Sequence, residues 1–72
     1  MHILAKNTAT EWCVGYLQRA SNPHATRVTS WDDFIIIATG PMELCASLCN
    51  YLNGGSDKSW LAYIGPGLLV FK

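Results

Sequence analysis

Charge is scarce in this sequence: 14% of its 72 residues are charged, and five basic side chains cancel five acidic ones. An average soluble protein carries roughly 25% charged residues. Self-repulsion therefore cannot keep this chain unfolded, and with half its residues hydrophobic it is expected to fold. The balance also lacks the electrostatic footprint of a general nucleic-acid binder or a polybasic membrane anchor. An acidic mimic of DNA is disfavoured on the same ground.

Long apolar runs are missing too. No stretch approaches the ~20 residues needed to span a bilayer. Met1-His2-Ile3-Leu4-Ala5-Lys6 turns polar too soon for a secretory signal. The expectation is a cytoplasmic protein without a membrane partner, in one domain over residues 1–72. Cysteine is sparse and odd in number. Cys13, Cys45 and Cys49 cannot all pair; a reducing compartment argues against disulfides, and Cys13 with either of the others is the conceivable pairing. A lone C-x3-C lacks the paired short spacings of zinc modules, so neither His2 nor His24 is read as completing a metal site. No cofactor is expected.

So short a chain has little surplus stability. By the usual scaling it exposes about 11,500 Å² unfolded and about 4,400 Å² folded. If about 60% of the buried area is apolar, ~25 cal/mol/Å² gives on the order of 105 kcal/mol. Ordering the backbone and side chains costs about 108 kcal/mol at ~1.5 kcal/mol per residue. The sum lies near zero, which favours a subunit contact as extra support, and a homo-oligomer is expected.

The clearest element is a helix from Pro41 to Asn53. Gly40 can cap it, Pro41 suits the first helical position and Glu43 falls in the first turn, where the helix dipole favours an acid. Asn53-Gly54-Gly55 ends it. Leu44, Cys45, Leu48, Cys49, Tyr51 and Leu52 form its apolar stripe, while Glu43, Ser47 and Asn50 face water.

The remainder reads as strands. Phe34 to Ala38 is a continuous apolar run suited to a central strand. Trp60 to Ile64 and Leu68 to Phe71 flank Gly65-Pro66-Gly67 as a hairpin. Glu11 to Arg19 alternates, and His2 to Thr8 pairs with it. Thr26 to Ser30 adds a short strand before a turn at Trp31-Asp32-Asp33. The fold class is α+β: a small, mostly antiparallel sheet of four to six strands with one helix on one face, in the order β-β-β-β-α-β-β. A right-handed crossover joins the Phe34 and Trp60 strands if they run parallel.

A single helix spans ~20 Å and cannot cover such a sheet, whose strands lie ~4.8 Å apart. On the Glu11 strand the small row Cys13, Gly15 and Leu17 suits the helix, leaving Trp12, Val14 and Tyr16 on the far side. That face, with Trp31 and Trp60 at its edge, is the expected contact with a partner or second copy. The alternative is a satellite core under the loops.

Signals for chemistry are weak. His24 has no hydroxyl or carboxylate at a recognised spacing, and Asp32-Asp33 suits a turn. Gly54 to Ser59 lacks the phosphate-loop spacing and follows a helix C-terminus, where the dipole is negative. The leading expectation is a non-enzymatic module that binds a larger protein or protein complex and occludes it sterically. In size and class alone, the chain is similar to compact phage or mobile-element inhibitors of host defence such as anti-CRISPR proteins. A second reading is an oligomeric binder of an anionic, nucleotide-like ligand held by Arg19, His24 and Arg27 with aromatic side chains. A minimal hydrolase comes third.

Overall fold

The computed structural model describes residues 1–18 and 31–71. Among these residues, four strands form one antiparallel sheet in chain order: β1 (Ile3–Lys6), β2 (Trp12–Leu17), β3 (Phe34–Gly40) and β4 (Leu69–Val70). One helix, α1 (Met42–Leu52), follows β3, and a 3-10 helix, Ser59–Tyr63, lies between α1 and β4. The class is α+β, as expected, with the order β-β-β-α-β. The anticipated strand Thr26 to Ser30 falls outside the described residues.

β1 pairs with β2 from Ile3 opposite Gly15 to Lys6 opposite Trp12. The turn between them closes on local bonds: Asn7 and Thr8 donate their N–H groups to the Glu11 carbonyl at 2.9 and 3.0 Å, and the Thr8 hydroxyl accepts from the Glu11 N–H at 3.0 Å. Between β2 and β3 the register shifts, Val14 facing Ala38 and Gly15 facing Ile36. Ile37 is therefore the extra residue of a bulge. Gly15 is required there, because a Cβ would run into the Ile35 carbonyl and the Phe34 ring.

β3 runs on to Gly40, so the helix begins one residue later than the sequence suggests. Pro41 is its N-cap, extended at φ −62° and ψ 153°, and its carbonyl accepts from the Cys45 N–H at 3.0 Å. Asn53 caps the C-terminus, and Gly54 follows in the left-handed region at φ 102°. The buried stripe is narrower than expected. Cys45, Leu48 and Cys49 are buried, whereas Tyr51 and Leu52 are exposed. Ser47, expected in water, is also buried, with its hydroxyl 3.1 Å from that of Ser59.

The sheet has an apolar cluster on each face. Val14, Ala38 and Leu68 pack with Cys45, Leu48 and Cys49 of the helix, and Leu4, Trp12, Ile37, Leu44 and Trp60 surround them. Ile3, Cys13 and Phe34, with Ala5, Leu17 and Ile36, form the other cluster. This reverses the expected facing: Trp12 and Val14 point toward the helix, and Cys13 points away from it. Strand alternation fixes which residues share a face, but it does not fix which face the helix takes.

The expected strand Trp60 to Ile64 is instead mostly 3-10 helix. Asp57 accepts from the Ser59 N–H at 3.0 Å and the Ser59 hydroxyl at 2.8 Å, and Leu61 donates to the Lys58 carbonyl at 3.1 Å. These local bonds override the strand propensity of the apolar residues. In place of the hairpin, Ile64 and Leu68 form an isolated parallel bridge around the Gly65–Gly67 turn. β4 then runs antiparallel to β3, so no parallel crossover arises.

Candidate protein-binding surface

The five residues expected to bind a partner do not share one surface. Val14 is completely buried and closed to any partner. Trp12 is half-buried on the helix side, with the Lys6 ammonium 6.0 Å from its ring. Tyr16 is exposed and meets the His2 ring edge-on at 5.9 Å. Trp31, also exposed, packs at 5.4 Å on Phe34, which belongs to the opposite cluster. Trp60 is half-buried against α1. The alternative ligand residues Arg19, His24 and Arg27 lie outside the described residues.

Around Trp60 the fold gathers a different group. Its ring lies 5.5 Å from that of Tyr51, on the last turn of α1, and the Lys58 ammonium stands 5.9 Å from Tyr51. Leu61 and Tyr63 of the 3-10 helix are each 51% exposed, and Ile64 beside them is 46% exposed. The Ser47–Ser59–Asp57 bonds position this group by fastening the 3-10 helix to α1. The two Ser59 bonds, with a smaller contribution from Ser47, hold the Asp57 carboxyl below its ordinary range.

The Trp60 indole N–H is covered and has no hydrogen-bond acceptor among the described residues. A buried donor left unpaired is costly, and among the described residues the contacts that hold the ring are apolar and aromatic ones. Sequence reasoning singled out Trp60 but placed Tyr51 in the core and Leu61, Tyr63 and Ile64 in a strand. One signal was available: Trp60 to Phe71 is twelve residues without a charged side chain.

Among the described residues, the titratable groups nearby lie apart from one another. Ser47, Ser59 and Asp57 form a hydroxyl–carboxylate chain with no imidazole beside it in the contacts described. His2 is tied at its backbone to Asn53, and burial lowers its pKa from the usual value. Cys13, Cys45 and Cys49 are free, buried thiols. Cys45 is pushed up to about 11, chiefly by burial and further by Cys13, Glu11 and Cys49. Such thiols are poor nucleophiles at neutral pH. Among the described residues no cluster of three His, Cys, Asp or Glu side chains is arranged to hold a metal, and no helix is long and apolar enough to cross a membrane.

Compared with protein-family models, curated proteins and solved structures, the chain matches none of them.

Proposed function

We propose that this chain is a non-enzymatic protein-binding module that works by steric occlusion, covering part of a larger protein in the manner of compact phage-borne inhibitors. The observation that supports this reading is the aromatic group at the end of α1: the Tyr51–Trp60 pair bordered by exposed Leu61, Tyr63 and Ile64. Tryptophan and tyrosine supply large contact areas at low entropic cost and dominate binding energies at protein interfaces. Lys58, at the border, supplies a polar rim.

The exposed members of the surface, Leu61, Tyr63 and Ile64, lie side by side along one 3-10 helix and the residue after it, which suits contact with another protein. Trp60 packs against the core, but Leu61 and Tyr63 are each 51% exposed, so these two can be exchanged without unfolding the chain. Tagged wild-type protein is expected to retain one partner at constant stoichiometry through repeated washing. The double variant Leu61→Asp, Tyr63→Asp is expected to lose that partner while keeping the wild-type circular dichroism spectrum. Equal retention by wild type and variant would reject this surface.

A further inference from the structure

The sheet has two edges, and they are finished differently. At β1, the Asn53 side chain accepts from the His2 N–H at 2.8 Å and donates to the His2 carbonyl at 2.9 Å, standing in for a neighbouring strand. Lys6 adds an exposed charge to the same edge. Capping and lysine are common devices against edge-to-edge pairing.

β4 has neither. Phe71 donates its N–H to the Ile37 carbonyl at 2.7 Å, and Ala38 faces Val70. Antiparallel ladders alternate bonded and non-bonded pairs. The Val70 N–H and C=O therefore point away from β3, along the free edge. The backbone of Leu68 is already occupied, its N–H by the Tyr63 carbonyl and its carbonyl by the Gly65 N–H. Among the described residues the open donor and acceptor thus fall at Val70, with exposed Leu69 and Phe71 on either side and no charge among the three.

We propose that β4 pairs with β4 of a second copy, antiparallel about a two-fold axis at Val70, extending two four-stranded sheets into one of eight. Each Val70 then exchanges both main-chain hydrogen bonds with its counterpart. Leu69 of each copy lies opposite Phe71 of the other on one face of the sheet, an aliphatic–aromatic cross-strand pair formed twice. The chain's zero net charge gives the two copies no reason to repel.

The size of the contact sets its strength. At roughly 150–200 Å² per fully exposed side chain, the open fractions of Ile64, Leu69, Val70 and Phe71 amount to about 350 Å² per copy, or about 700 Å² for the pair. That is below the ~1,000 Å² of a stable interface, so the dimer is a weak, transient one. The inference goes beyond the protein-binding reading and does not rest on it, since no foreign protein enters the measurement.

Sedimentation velocity from about 10 μM to about 1 mM tests it at concentrations that bracket such a contact. The wild type is expected to pass from monomer toward dimer. Val70→Pro removes the outward N–H but no bond to β3, a position where proline is tolerated, and is expected to weaken association at least tenfold. Leu69→Lys, which leaves the ladder intact, is expected to do the same. A wild type that stays monomeric throughout, or association undiminished in Leu69→Lys, would overturn the proposal.

Discussion

Gly15 shows how little room two strands leave each other. The bulge brings the β3 backbone and the Phe34 ring against it, so Gly15→Ala must force them apart. Overpacking of this kind costs roughly 1–3 kcal/mol, measurable as a lower midpoint in urea. The thiols make a second prediction at this scale. Burial raises Cys45 from 9.0 to about 11, so the neutral thiol is the form that the fold favours. Its contribution is fully present below pH 9 and is lost as pH rises from 9 toward 11. Melting temperature is expected to fall across that window, and Cys45→Ala is expected to flatten the fall. Residue identities alone revealed the alternation of Trp12, Cys13 and Val14, but not its direction. Facing is decided by which row fits the helix, and Gly15, whose small size seemed meant for α1, is used against β3.

Among the elements, α1 was the most legible because its signals are local: proline at its start, Glu43 in the first turn and Asn53-Gly54 at its end. The Trp60–Ile64 segment was the least legible. Its apolar, aromatic composition suits a strand, but the Asp57–Ser59 bonds start a 3-10 turn, and Trp60 then packs on Tyr51. A side chain arriving from fifty residues away is not visible in composition, and Asn53 is the clearest case. It caps α1 and binds both backbone groups of His2. Asn53→Ala removes both bonds and is expected to cost about 1–3 kcal/mol in chemical denaturation, since neutral hydrogen bonds contribute ~1 kcal/mol each. Asn53→Asp keeps the acceptor for the His2 N–H but loses the donor to its carbonyl, and should fall between the two.

For the whole molecule, one helix covers one side of the sheet and the apolar residues of the C-terminal third remain largely outside the core. One helix does leave apolar surface exposed, but most of it lies at Leu61, Tyr63, Ile64, Leu69, Val70 and Phe71 rather than on β2, where of the expected Trp12, Val14 and Tyr16 only Tyr16 is exposed. Leu69, Val70 and Phe71 hold β4 to β3 through their backbones, while their side chains, with those of Leu61, Tyr63 and Ile64, are open to the proposed contacts. The most direct test is a photo-crosslinking amino acid placed singly at Tyr63 on the proposed surface and at Glu43 on the exposed first turn of α1, in cells that express the protein. The account predicts one dominant adduct with a larger protein from position 63 and none from position 43. Equal labelling from both positions, or no adduct from position 63, would contradict it.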